Sequence, residues 1–192
     1  MGFLEHAEPG GRACEREARR LLTGKTSSVF AVPVRAVLAS ASYREALAVN
    51  RASSDHRLGL SKQAWNLVPK MRELDALLNN HSPLRKCVFE AHPELAFARL
   101  NSGAPVLASK KTEEGKRTRL ALLAAAGFEQ AKTRWADYRS ARKLRRTDVA
   151  GDDAYDALAV CVTARRIAER DAIVLPTKPG RDSRGIEMAV RY

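Results

Sequence analysis

From Asp152 to Ile167 the chain runs for sixteen residues without a glycine or proline, and its apolar residues recur at helical spacing. A stretch of that length and pattern has one regular solution, an α-helix packed along one side. It opens on Gly151-Asp152-Asp153-Ala154-Tyr155-Asp156. At about 100° per residue, Asp153, Asp156, Ala157, Val160, Ala164 and Ile167 share a side, which the pattern predicts to be buried. Asp152 falls on the flank, where capping the helix is its natural role. Carboxylates on a buried side cost free energy unless they are hydrogen-bonded, paired or bound to a cation. Two accounts stay open: acids that complement the helix dipole, or a metal site using Asp153 and Asp156.

A second acidic stretch, Glu90-Ala91-His92-Pro93-Glu94, bears on that choice. Cys87-Val88-Phe89 is a short apolar run of strand formers, and Pro93 opens a helix to about Leu100. Glu94 lies in that helix's first turn, where the dipole accounts for it. Glu90 ends the expected strand and has no such role, so it is the residue expected to converge with Asp153 and Asp156. His92 has no second histidine at ligand spacing and reads as a hydrogen-bonding residue.

Elsewhere the punctuation is helical. Pro9 predicts a helix through Leu22 that ends at Gly24, and Pro33 a second one through about Val49. Ser61 caps a third, with Ala64, Leu67, Val68, Met71, Leu74 and Leu78 at helical spacing. Thr112 caps another that stops near Gly127, and residues 129–147 form a further basic helix. Ile173-Val174-Leu175 and Ile186 to Val190 read as short strands. The expectation is one domain over residues 1–192: mainly helical over 10–80, strand and helix with the acidic motif over 85–100, basic and helical over 110–147, and an acidic helix with terminal strands over 151–192.

Charge points to the partner. The formal net charge is +12, and residues 110–146 hold twelve Lys or Arg against four acids, a net of +8. Clustering of this kind is the footprint of phosphate-backbone contact. Lys110, Lys111, Arg119, Arg142, Lys143, Arg145 and Arg146 are the expected nucleic-acid contacts. Trp135 and Tyr138, one turn apart among Arg134, Arg139 and Arg142, either stack on bases or pack on the core.

Three widely spaced cysteines, Cys14, Cys87 and Cys161, make neither a disulfide framework nor a zinc ribbon. No run of about 18 apolar residues offers a membrane span, and the residues after Met1 lack a signal peptide's pattern. The expected location is the cytoplasm, with no membrane partner. Gly24-Lys25-Thr26 lacks the upstream glycine of a phosphate loop, since position 19 is Arg. No Ser/His/acid arrangement marks a nucleophile.

Several of these motifs, in this order, carry a resemblance. Ser27-Ser28-Val29-Phe30 with Pro33 and Arg35, Gln63-Ala64-Trp65, Glu90-Ala91-His92-Pro93-Glu94, Ser109-Lys110-Lys111-Thr112 with Gly115 and Arg119, Asp152-Asp153…Asp156-Ala157-Leu158-Ala159 and Asp182-Ser183-Arg184-Gly185 resemble domain-of-unknown-function family 429. That family is regarded as predicted nucleases of the RNase H-like fold. The last helix is also similar, more distantly, to that of RuvC-type junction resolvases. The resemblance implies an α/β, RNase H-like fold in which Glu90, Asp153 and Asp156 bind Mg²⁺ (or Mn²⁺) for phosphodiester hydrolysis.

One departure qualifies the expected activity. Relatives open with strands bearing an Asp-Gly-Cys-like and an Asp-x-Pro-Ile-Gly-like element; by the resemblance Met1 falls inside or just after the second, and both acidic positions are absent from this chain. The expected sheet is therefore incomplete at its N-terminal side. Three accounts stay open: a start lying upstream, strands supplied by self-association or a partner chain, or a product without nuclease activity. The sequence thus leads to a metal-dependent nuclease relative, inactive as it stands, with a basic, non-catalytic nucleic-acid-binding or assembly protein as the alternative.

Overall fold

The computed structural model describes residues 1–145 and 147–192. Among them are seven α-helices, three 3₁₀ segments and a two-stranded antiparallel sheet, so the class is α/β with helix dominant. Two compact units divide the chain. One comprises Met1–Arg20, Thr26–Glu90 and Val174–Val190; the other comprises Leu21–Lys25, Ala91–Ile173 and Arg191–Tyr192.

In the first unit lie α1 (Ala13–Leu21, whose last residue falls in the other unit), α2 (Tyr43–Ala52) and α3 (Lys62–Asn80). Helix α1 starts later than Pro9 predicts because Gly10 and Gly11 take φ of 78° and 77°. Gly11 has a further reason to be glycine: a Cβ there would lie 2.0 Å from Glu15 Oε2. The helix expected from Pro33 to Val49 is broken in two. A 3₁₀ turn covers Arg35–Ala39, Ser40 is extended, and Ser42 Oγ accepts the Glu45 N–H at 3.2 Å to start α2. Ser42 favours such a local bond over continuing a helix. Ser61 caps α3 as expected, its Oγ accepting the Ala64 N–H at 3.1 Å. Phe3, Val34, Val37, Leu38, Ala46, Leu60, Ala64, Val68 and Met71 make the core.

Asp75 sits on the buried seam of α3, which its type would forbid without a partner. Arg35 supplies it: Nη1 donates to Asp75 Oδ1 at 2.7 Å, Nη2 to Asp182, and Glu5 lies 3.3 Å from Nε. Arg184 Nη1 reaches Asp75 Oδ2 at 3.0 Å. Asp182 also accepts the N–H groups of Phe3, Arg184 and Ile186, at 3.1, 2.9 and 2.8 Å. The Asp182-Ser183-Arg184-Gly185 motif is in this way a structural clasp.

The second unit holds α4 (Pro93–Leu100), α5 (Glu113–Ala125), α6 (Ala131–Ala141) and α7 (Gly151–Glu169). Its core joins Ala96 and Phe97 of α4, Val106, Leu123 of α5 and Ala159 of α7. Pro93 at the start of α4 and the Thr112 cap of α5, whose Oγ1 accepts the Gly115 N–H at 3.1 Å, stand where the sequence predicts. The basic helix is shorter than 129–147.

Two expectations are corrected. Cys87–Glu90 is not a strand: Cys87 and Val88 both donate to the Leu84 carbonyl, closing a 3₁₀ turn, and Ala91 alone makes an isolated bridge to Arg191. The terminal strands also shrink, to β1 (Val174–Leu175) and β2 (Val190–Arg191), with Ile173 and Tyr192 exchanging backbone bonds at 2.9 and 3.1 Å.

Candidate nucleic-acid interface

The buried side of α7 lies about one residue round from the predicted stripe. Ala159, Val162 and Thr163 are buried, with Asp152, Tyr155 and Asp156 half-buried above them, while Asp153, Ala157 and Ala164 are exposed. Packing against α4 and α5 decides this; alanines scattered around the helix blur the periodicity. The two first-turn acids exchange their expected roles. Asp153 Oδ2 accepts the Ala150 N–H at 3.3 Å, a capping contact, and Asp152 faces a lysine.

That lysine is Lys110. Its Nζ lies 3.0 Å from Asp152 Oδ2 and 2.8 Å from Asp156 Oδ2. Burial disfavours the ammonium, but hydrogen bonds to Asp156 and then Asp152 outweigh it, so Lys110 is held above its ordinary range. Burial pushes the Asp156 carboxyl up; Lys110 opposes this, and Glu94 nearby adds to the rise. Asp152 is less buried, so there the Lys110 bond wins and the carboxyl falls below its ordinary value.

The loop that presents Lys110 is fixed by close packing. A Cβ on Gly115 would stand 2.0 Å from the Ser109 carbonyl oxygen, so only glycine lets the start of α5 approach Ser109. Arg119 Nη1 donates to the Ala108 carbonyl at 3.0 Å, and Nη2 holds both oxygens of Glu94 at 2.8 and 2.9 Å. With 1% exposure and Phe97 under its guanidinium, Arg119 braces this loop and does not face solvent.

The remaining cations do gather. A cleft of about 970 Å³ is lined by Lys110, Lys111, Lys116, Lys132, Arg139 and Lys143, with Glu113 and Asp152 as its acids. Lys110 and Lys111 come from the loop before α5, Lys116 from α5, Lys132 and Arg139 from α6, and Lys143 from just beyond it. All six fall within the basic stretch of residues 110–146, but the expected contacts include only Lys110, Lys111 and Lys143 and leave out Lys116, Lys132 and Arg139. A helical wheel of α6 would have found the last two, seven residues apart and so on one face. Arg142 is exposed and lies over the Tyr138 ring at 5.7 Å; Arg145 pairs with Asp148 at 3.0 Å. Arg146 lies outside the described residues.

The third expected acid, Glu90, is held in the first unit. Arg12, 1% exposed, grips it as a fork, Nη1 to Oε2 at 2.9 Å and Nη2 to Oε1 at 2.6 Å, while Arg12 Nε holds Glu15 at 2.8 Å. The implied divalent cation can be tested on this donor set. Both oxygens of Glu90 are committed to Arg12, Asp156 and Asp152 share Lys110, and Asp153 caps its helix. Among the described residues no three Asp, Glu, His or Cys gather as a metal-binding group. The residues as placed do not fit a shared Mg²⁺, whose oxygen ligands stand about 2.0–2.1 Å away.

A family model described as protein of unknown function (DUF429) matches residues 3–181, and the chain belongs to that family. No curated protein and no solved structure matches it. No helix among the described residues is long and apolar enough to cross a membrane.

Proposed function

We propose that this chain binds nucleic acid, holding the sugar-phosphate backbone in the cation-lined cleft formed by the Lys110 loop, α5 and α6. The observation that carries the proposal is the convergence of six Lys and Arg side chains from separate elements on one open cleft of about 970 Å³. Asp152 and Asp156 offset Lys110, and Glu113 offsets Lys116, which leaves the excess positive charge on Lys111, Lys132, Arg139 and Lys143. These repel one another, and polyanionic phosphate is the ligand that relieves them. Binding measured by fluorescence anisotropy should weaken linearly on a log–log salt plot, with a slope of about −0.9 per neutralised phosphate on duplex DNA and about −0.7 on single strands. A Lys132→Ala, Arg139→Ala, Lys143→Ala variant should reduce both affinity and slope. Salt-indifferent binding, or a slope unchanged in that variant, would sink the proposal.

A second proposal is phosphodiester hydrolysis by an RNase H-like enzyme using Mg²⁺ or Mn²⁺. It is supported by the position of Asp152 on the cleft wall, with Asp156 one turn behind it. Because Lys110 already neutralises both acids, this reading needs an arrangement other than the one described. Its test is metal-dependent cleavage of DNA, RNA and branched substrates. Cleavage abolished by Asp156→Asn supports it, and no cleavage with either metal refutes it.

A further inference from the structure

Helix α6 separates two clefts of opposite chemistry within the second unit. On one side is the cation-lined cleft. On the other is a groove of about 850 Å³ walled by Phe128, Trp135 and Tyr138 of one segment and by Ala154, Ala157 and Leu158 of α7. Trp135 lines both. Its ring stacks on that of Tyr138, centroids 6.1 Å apart and planes 27° from parallel, and Tyr138 is 52% exposed. Ala131 alone of α6 is buried, so the aromatic pair is not there to fill the core. Two of the three α7 residues that line the groove are alanines, which leaves the ring faces room for a planar ligand. Its volume lies within the roughly 300–1,000 Å³ typical of small-molecule sites.

We infer that this groove receives unpaired nucleobases from a strand whose phosphates lie in the adjoining cation-lined cleft, so that the preferred ligand is single-stranded. The inference rests on the phosphate-binding proposal above. Three observations favour a base over another occupant. The groove adjoins the basic cleft, since Trp135 lines both. Arg134 lines it and Arg142 lies 5.7 Å over Tyr138, against the single acid Glu129, so its edges carry the net positive charge a nucleic acid needs and a second basic copy of this chain would be repelled. Aromatic faces also accept any base without reading its edges, which suits a ring pair that has no polar groups beyond the indole N–H and the phenol. In a duplex the bases are stacked on each other and cannot enter.

The experiment compares three probes of equal length at one salt concentration: an intact single strand, a single strand with abasic sites, and a duplex. The abasic strand keeps every phosphate and loses only the bases. The expected result is binding of the intact strand about five- to hundredfold tighter than the abasic one, the effect of one stacked base or so. Tyr138→Ala, at an exposed position, should collapse that ratio toward one while the salt slope stays unchanged. Equal affinity for intact and abasic strands, both salt-dependent, overturns the groove and leaves the cleft standing. Binding of neither overturns both. A change in oligomeric state in Tyr138→Ala on gel filtration, with the ratio unaltered, makes the groove a contact between copies and refutes the inference.

Discussion

Replacing Arg12 with methionine should destabilise the first unit more than any surface change could. The guanidinium donates to Glu15 Oε1 at 2.8 Å, to Glu90 at 2.9 and 2.6 Å, and to the Gly2 carbonyl at 2.9 Å. Methionine fills the stem's volume but leaves Glu15, 3% exposed, and Glu90 without their cation. Removing one member of a buried ion pair costs about 3–5 kcal/mol, against a total stability of about 5–15 kcal/mol for a domain. Arg12 cannot lessen the cost in the parent by losing its proton, since burial lowers its affinity for protons but Glu90 and Glu15 more than restore it. Glu15 can lessen it in the variant: burial already pushes its carboxyl up, so protonation should soften the defect at acid pH. Urea unfolding of Arg12→Met, Glu90→Gln and the double variant forms a cycle. The double variant should be less damaged than the two single losses added together, by a coupling of about 1–3 kcal/mol. Arg12→Met within about 0.5 kcal/mol of the parent, the range of surface substitutions, would refute the reasoning.

Three further outcomes are expected. Gly115→Ala should cost about 1–3 kcal/mol by overpacking against the Ser109 carbonyl, and by shifting Lys110 should weaken oligonucleotide binding; thermal melts and anisotropy check both. Burial pushes the Cys14 thiol up to about 12, with the Arg12 cation opposing that rise, so only the exposed Cys87 and Cys161 should react with a thiol reagent at mildly alkaline pH. A third thiol titrating in the folded protein would contradict this. Asp152 has a folded pKa below its ordinary 3.8, so its contribution is full above that value and is lost as pH falls through the folded one. Asp152→Asn should flatten that part of the acid limb of a stability–pH curve, and an unchanged limb would show that the Lys110 bond contributes nothing.

Helix starts are legible where one residue sets the first turn and no neighbour breaks it. Ser61, Pro93 and Thr112 each act through their own side chain on the next turn, and each helix begins there. Pro9 and Pro33 mislead because neighbours intervene, Gly10 and Gly11 at positive φ and Ser40 extended; elsewhere a partner outside the segment decides. Cys87-Val88-Phe89 has strand-forming residues, but the preceding 3₁₀ turn takes the N–H groups of Cys87 and Val88. The acids of α7 were assigned by angle alone, and neither Lys110 nor the helices that bury Ala159 can be seen from within that segment. Glu90 was set apart as an acid without a structural role because its partner, Arg12, lies 78 residues earlier. The cation-lined cleft was legible as charge but not as shape: Arg119 counts toward the total and yet is buried.

The clasp around Arg35 has a consequence for the order in which the chain can be completed during synthesis. Arg35 and Asp182 stand 147 residues apart, and Asp182 is also the acceptor for the Phe3 N–H. The second unit's cluster of Ala96, Phe97, Val106, Leu123 and Ala159 is drawn from residues 96–159. A ribosome therefore delivers that cluster before it delivers the last charge of the clasp. Until then Arg35 has Asp75 and Glu5 alone, and the N-terminal segment lacks its Asp182 anchor. For that interval the first unit is without the residues 174–190 that complete it, and its apolar residues stay open to contact with other chains.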